Sequence, residues 1–121
     1  MITRASIVVI SVSDQEKALD FYTNSLGFEK LRDDPMGPEA RWIEVAPKGA
    51  ETHLVLEPGL TDRIGTWAGV IFECDDIRAT HEELRGHGVE FTEKPNERPW
   101  GIWARFKDQD GNEFGLVQPA G

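Results

Sequence analysis

A chain of 121 residues is long enough to bury one hydrophobic core and too short for several domains. Its 13 Lys and Arg against 22 Asp and Glu give a formal net charge of −9, which repels phosphate backbones and excludes the basic surface of a nucleic-acid-binding protein. No apolar run approaches the ~20 residues that a membrane-spanning helix needs, so we expect neither nucleic acid nor membrane as a partner.

The beginning of the chain and its single cysteine bear on the compartment. The first residues lack the charged, apolar and cleavage regions of a signal peptide, so we expect a cytoplasmic protein. Cys74 is the only cysteine, which excludes an intrachain disulfide and a thiolate metal cluster. It ends an apolar run, VIFEC, where we expect a buried and unreactive thiol.

The first half of the chain predicts one strand, one helix and three further strands. Residues 7–14, IVVISVSD, form a β-branched run that ends in an aspartate, and Ser13 and Glu16 have the spacing of a capping box. Gly27 ends the predicted helix. LGFEKLRDD, ARWIEVAP and THLVLEP are the strand candidates that follow. One helical stripe contains Ala18, Phe21, Tyr22 and Ser25.

The second half repeats this pattern. Residues 69–76, GVIFECDD, correspond to residues 7–14, and HGVEFTEKP, GIWARFKD and NEFGLVQP are the later strands, the last two joined by a DQDG turn. Residues 58–66 read as a linker. We therefore expect a single α+β domain of two βαβββ modules, about 1–60 and about 66–121. The second helical stripe contains Ile77, Thr80, His81 and Leu84, before Gly86 and Gly88.

Strand alternation assigns side chains to two faces of each sheet. We expect the helices on the convex faces and a cup-shaped cavity lined by the concave faces of curved mixed sheets. Val8, Ile10 and Val12 belong to the helix-covered set of the first strand, and Val70, Phe72 and Cys74 to that of the fifth. We interpret His81 as a half-buried structural histidine and His87 as a helix-end residue.

These features resemble the glyoxalase, bleomycin-resistance and extradiol dioxygenase superfamily, often called vicinal oxygen chelate proteins. The resemblance rests on VSVSDQEKALDFY with LGF behind it, FECDDIRAT with HGVEF behind it, and FKDQDGNEFGLVQ, and covers essentially the whole chain. It implies the fold strongly. It implies function weakly, because one fold hosts many activities.

The metal enzymes of this superfamily place His, Gln or Glu ligands at four cup-facing positions. By their offsets from the motifs, these positions fall on Ile7, Val55, Gly69 and Gly115, none of which can bind a metal. His53 and Glu57 lie two residues to either side of Val55, but a register shift of two would add only one ligand. We therefore expect no metal and no cofactor.

The four tryptophans are candidates for the walls of an aromatic slot. None lies in a predicted helix. Alternation directs Trp103 and Arg105, and likewise Trp42 and Glu44, into the cup. The alternative is that the tryptophans occupy positions in the core or in a dimer interface. The predicted ligand-binding residues are Ile7, Val9, Trp42, Glu44, His53, Val55, Trp67, Gly69, Trp100, Trp103, Arg105 and Gly115.

The resemblance to the metal-free bleomycin-resistance branch implies a homodimer with cavities at the interface. Such a protein sequesters an aromatic natural product or antibiotic, which confers drug resistance or self-protection and needs no catalytic residue. A second hypothesis is a metal-free lyase, isomerase or cyclase with a general base among Glu44, Glu73, Glu113 and His53. A third, a metal-dependent glyoxalase or dioxygenase, is disfavoured by the four positions without ligands.

Overall fold

The computed structural model describes all 121 residues and divides into two compact units, Met1–Ile64 and Gly65–Gly121. Unit 1 contains β1 (Ile7–Ser11), α1 (Gln15–Asp20), β2 (Glu29–Pro35), β3 (Arg41–Ala46) and β4 (His53–Glu57). Unit 2 contains β5 (Trp67–Glu73), α2 (Ile77–Gly86), β6 (Glu90–Arg98), β7 (Gly101–Lys107) and β8 (Glu113–Pro119). The predicted α+β fold with two βαβββ patterns is confirmed.

The two sheets have the same strand order. In unit 1 it is β1-β4-β3-β2 and in unit 2 it is β5-β8-β7-β6. The first strand of each unit pairs in parallel with the last, and the other neighbours are antiparallel. A parallel pair needs a crossover connection, which the helix begins in both units. Neither helix is long and apolar enough to cross a membrane.

Both helices begin at an aspartate. The Asp14 carboxylate accepts a hydrogen bond from the Lys17 backbone N–H at 3.1 Å, and Asp76 accepts one from Ala79 at 3.1 Å. The predicted Ser13–Glu16 capping box is therefore wrong, because the residue with the extended cap conformation is Asp14.

The first helix also changes its winding before it ends. After six α-helical residues it continues as a π-helical turn, Phe21–Ser25, which periodicity does not predict. Gly27 then has a φ of 77°, in the left-handed region that favours glycine. In the segment between the sheets, the predicted linker contains a short 3₁₀ turn, Thr61–Arg63.

The helix-covered faces carry the cores, as alternation predicts. In unit 1, Ile10 and Val12 are buried while Ile7 and Val9 are exposed. In unit 2, Phe72 packs on Phe114 with ring centroids 5.4 Å apart. Burial of these apolar side chains contributes free energy to the stability of each unit.

Two residues of types that often act in catalysis, His81 and Cys74, are packed within unit 2. His81 is 8% exposed and stands edge-on to Phe91 at 4.5 Å, and burial lowers its pKa, so the interpretation as a structural histidine is supported. Cys74 is only half-buried, so the expectation of full burial is wrong. Burial still raises the pKa of its thiol, which keeps it protonated and unreactive.

Gln15 connects α1 to two strands of unit 1. Its Nε2 donates to the backbone carbonyls of Arg41 at 2.6 Å and Leu56 at 2.9 Å, and its Oε1 accepts from the Arg41 N–H at 3.1 Å. The side chain is 8% exposed. These hydrogen bonds satisfy backbone groups that would otherwise be buried without partners.

We expect Gln15→Ala to lower the free energy of unfolding by about 2 kcal/mol, because it leaves buried backbone groups unpaired. Urea denaturation followed by circular dichroism measures the change. Lys17→Ala, on the exposed side of the same helix, is the control and should change stability by less than about 0.5 kcal/mol. Equal effects of the two substitutions would contradict a role for the Gln15 amide.

Candidate functional site

The open face of the unit 2 sheet carries three tryptophans. Strand pairing places Arg105 opposite Gly115 and Trp103 opposite Val117, and paired residues point to the same side of a sheet. Trp67 begins β5 on that side, and Trp100 directly precedes β7. We call this surface the tryptophan face; its residues are Trp67, Trp100, Trp103, Arg105 and Gly115.

The rings of the tryptophan face form a continuous row with two arginines. The Trp103 ring centroid lies 6.4 Å from that of Trp67 and 6.1 Å from that of Trp100. The Arg105 guanidinium lies 4.6 Å from the centre of the Trp67 ring, and that of Arg98 lies 5.8 Å from Trp100. Trp67 and Trp100 are 42% and 53% exposed, so this row is an aromatic surface rather than a core.

Trp103 lies directly on the backbone of β8 at Gly115. A Cβ added to Gly115 would overlap the indole, with Cζ3 at 2.9 Å and Cη2 closer still. Glycine is therefore required here by the close approach of a ring. At Gly69 the reason differs: pairing of β5 with β8 is interrupted between Trp67 and Ile71, and Gly69 has a φ of 76°.

Arg105 is neutralised within unit 2. Its Nη2 donates to Glu113 at 3.0 Å, and its Nε is buried without a hydrogen-bond partner. The guanidinium is therefore held between a carboxylate and the Trp67 ring. This contact restricts the orientation of the Trp67 ring.

A second open face, in unit 1, surrounds a buried carboxylate. Ile7 pairs with His53, and Val55 pairs with both Val9 and Glu44, so these side chains share one side of the sheet. We call this surface the Glu44 face; its residues are Ile7, Val9, Trp42, Glu44, His53 and Val55. Ile7 and Val9 are exposed, whereas Val55 is only 2% exposed, which limits the area that it offers to a ligand.

The Glu44 carboxylate is held by three neighbours. It accepts hydrogen bonds from Trp42 Nε1 at 2.6 Å and from Arg32 at 3.4 Å, and it lies 2.8 Å from His53 Nδ1. The Trp42 indole, followed by His53, lowers the pKa of Glu44. The carboxylate is therefore ionised at neutral pH although its side chain is only 7% exposed. Arg32 also belongs to this face, although the sequence pattern does not indicate it. The pairing register of β2 shifts between Lys30 and Arg32, and this shift places Arg32 opposite Glu44.

Trp42 also forms one wall of a cleft in unit 1. The cleft has a volume of about 230 Å³, and Met36, Val55 and Pro58 are among its other lining residues. Since Glu44 holds the indole N–H, the orientation of this wall is set by the same carboxylate. Within unit 2, three of the four tryptophans come together.

Comparison with known proteins identifies the family. The profile of the Glyoxalase/Bleomycin resistance protein/Dioxygenase superfamily matches residues 4–116. The chain belongs to this superfamily. Across 98% of its length it is 47% identical to the whole of YetH, an uncharacterised protein of Bacillus subtilis (strain 168).

Solved structures of this superfamily resemble the chain closely. TnmS3, an antibiotic binding protein from Streptomyces sp. CB03234, is 43% identical over 98% of each chain, with a TM-score of 0.88. UcmS2 is 38% identical over 97% of this chain and 98% of its own, also with a TM-score of 0.88. The resemblance stated from the sequence motifs is confirmed.

The residues that the motif offsets assign to the superfamily's metal positions do not fit a metal ion. Ile7, Val55, Gly69 and Gly115 offer no side-chain donor, and the Trp103 indole covers Gly115. The strand register places His53, rather than Val55, opposite Ile7, but His53 Nδ1 is engaged by Glu44. No group of three or more His, Cys, Asp or Glu side chains in the structure could hold a metal ion.

We expect Gly115→Ala to displace the Trp103 ring and to lower stability by about 1–3 kcal/mol, because the added methyl group overlaps the indole. Near-ultraviolet circular dichroism and the tryptophan emission maximum report the displacement, and urea denaturation reports the stability. Gly86→Ala, in α2, adds a methyl group in open space and is the control. Unchanged tryptophan spectra in Gly115→Ala would contradict the close approach.

Proposed function

We propose that this protein binds and sequesters an aromatic small molecule, without a metal ion and without changing it. The observation that carries the proposal is the row of Trp67, Trp103 and Trp100 on an exposed sheet face. Each such ring offers a large rigid contact area, and stacking adds about 0.5–1.5 kcal/mol per aromatic pair beyond burial. A planar aromatic molecule is the ligand that gains most from this surface.

The similarity to TnmS3 supports an antibiotic or related natural product as the ligand. That protein is an antibiotic binding protein, and 43% identity over nearly the whole chain is more than fold likeness. Sequestration of a toxic aromatic molecule would protect the cell that makes or meets it. Resistance by binding requires affinity alone, which a stacking surface supplies without a nucleophile.

Two of the three carboxylates proposed as general bases are engaged by neighbouring side chains. The Trp42 indole and His53 lower the pKa of Glu44, and Glu113 accepts a hydrogen bond from Arg105. A general base needs a pKa near the working pH, so the lowered pKa makes Glu44 a weaker base. This favours sequestration over a metal-free lyase, isomerase or cyclase.

The contact between His53 and Glu44 supports an enzymatic alternative. The pairing of His53 Nδ1 with the Glu44 carboxylate is the arrangement that orients an imidazole to take a proton on its other nitrogen. A metal-free isomerase or lyase would use His53 in this way. Its product would differ in mass or structure from the molecule that was bound.

We also propose that the protein acts as a homodimer. Ile71 on β5 is 53% exposed, and an apolar side chain on an edge strand favours cover by a second chain. We expect light scattering to give the mass of two chains for the wild type and of one for Ile71→Asp. Leu60→Asp, exposed in the connecting segment, should remain a dimer. A monomeric wild type would contradict the proposal.

Binding is tested with a panel of planar aromatic antibiotics and anthraquinone-like compounds. We expect saturable quenching of tryptophan fluorescence, and Trp103→Ala should weaken the dissociation constant measured by calorimetry about tenfold, or ~1.4 kcal/mol. Leu60→Ala is the control because Leu60 is an exposed apolar residue outside the sheets. Mass spectrometry and chromatography of the recovered ligand should show it unchanged.

The outcomes separate the functions. A ligand recovered with an altered structure would establish the enzymatic alternative. No saturable binding across the panel would contradict aromatic sequestration and would leave the tryptophans as structural residues.

A further inference from the structure

We propose that His53 recognises a hydroxyl group on the aromatic ligand, because its Nε2 atom accepts a hydrogen bond from that hydroxyl. The inference rests on the proposed function and deepens it, since it narrows the ligand class to aromatic molecules that carry a phenolic or similar hydroxyl. It assigns specificity for the hydroxyl group to the Glu44 face. The identity of the acceptor atom depends on which nitrogen of His53 carries the proton.

Glu44 determines the tautomer of His53. The carboxylate lies 2.8 Å from Nδ1, and its other oxygen accepts from Trp42 and Arg32, so it is held as an ionised acceptor. An ionised carboxylate cannot donate a hydrogen bond, so Nδ1 must carry the proton. In the neutral ring Nε2 is then the acceptor.

The Nε2 atom makes no hydrogen bond to the protein, and the His53 side chain is 29% exposed. The Glu44 side chain beneath it is 7% exposed. Burying a charge and surrounding it with three donors is costly, and the result here is one imidazole held in a single orientation with a free acceptor. This is the property of a group that recognises a donor on a ligand.

The neighbours of His53 favour a hydroxyl on an apolar ring. Ile7 pairs directly with His53, and Val9 is the next residue on the same side of β1; both are exposed. These side chains offer contact area to a ring, whereas an ammonium group would lose its hydration against them. An anionic group would approach the buried Glu44 charge in a chain whose formal net charge is −9, which is unfavourable.

Specificity would come from the cost of covering an unpaired acceptor. An aromatic ligand that buries Nε2 and has no donor loses the hydrogen bond between Nε2 and water. A hydroxylated ligand replaces that bond. Sites built to pair with a substrate hydroxyl reject analogues that lack it for this reason.

The experiment uses 2-naphthol and 2-methoxynaphthalene, which differ in one hydrogen-bond donor. In the wild type we expect 2-naphthol to bind about three- to tenfold more tightly, measured by calorimetry at a mildly alkaline pH at which 2-naphthol keeps its proton. His53→Phe should abolish this difference while 2-methoxynaphthalene still binds. His87→Phe, the same change at the end of α2, should keep the difference.

Nitrogen NMR of His53 provides a second readout that does not depend on affinity. The free protein should show a protonated Nδ1 and an unprotonated Nε2, and saturation with 2-naphthol, but not with 2-methoxynaphthalene, should shift the Nε2 resonance. Glu44→Gln should release the tautomer preference. A protonated Nε2 in the free protein would overturn the inference directly.

The inference and the proposed function fail in different ways. If both naphthalenes bind equally well to the wild type, aromatic binding stands and the role of His53 is overturned. If neither naphthalene binds and no member of the antibiotic panel binds, the proposed function itself fails and the inference falls with it.

Discussion

Each four-stranded sheet carries a helix on one face only, and the rest of the molecule follows from this constraint. An antiparallel or mixed sheet can leave one face free while its other face holds the core. In both units the helix-covered face contributes buried apolar side chains to the core, and packing restricts what can replace them. The uncovered face has no such restriction within its own unit, so residues that would be costly in a core can be placed there.

The two units use this freedom differently. Unit 2 places three indole rings and two guanidinium groups in contact on its open face. Unit 1 places one carboxylate among an indole, an imidazole and a guanidinium. The first arrangement offers a large aromatic contact area that fixes no single ligand orientation. The second offers one hydrogen-bond acceptor that points in a fixed direction.

Gly115 has no side-chain donor for a metal ion, and it lies beneath the Trp103 ring of the tryptophan face. A carboxylate or imidazole at this position would supply a donor atom, but its Cβ would displace the Trp103 ring. Metal binding at Gly115 and stacking at Trp103 therefore exclude one another sterically. Glycine at this position leaves room for the Trp103 ring, which lies between Trp67 and Trp100.

The sequence by itself determined the elements, their repetition and the faces of the strands, because these depend on period-two alternation and on helix stripes within a few residues. The aspartates that open both helices were visible, although the assignment of the first cap to Ser13 was wrong by one residue, which only backbone conformation decides. The directions of Trp42, Glu44, Trp103 and Arg105 followed from alternation alone.

Only the tertiary structure decided which of these side chains meet. Trp67 reaches Trp103 and Arg105 across β8, and Arg32 reaches Glu44 from the neighbouring strand. Such contacts depend on strand register, and the pairing irregularities near Gly69 and between Lys30 and Arg32 change the register without a clear mark in the sequence. The seating of an indole on the Gly115 backbone is equally non-local, because the need for glycine comes from a ring on the adjacent strand.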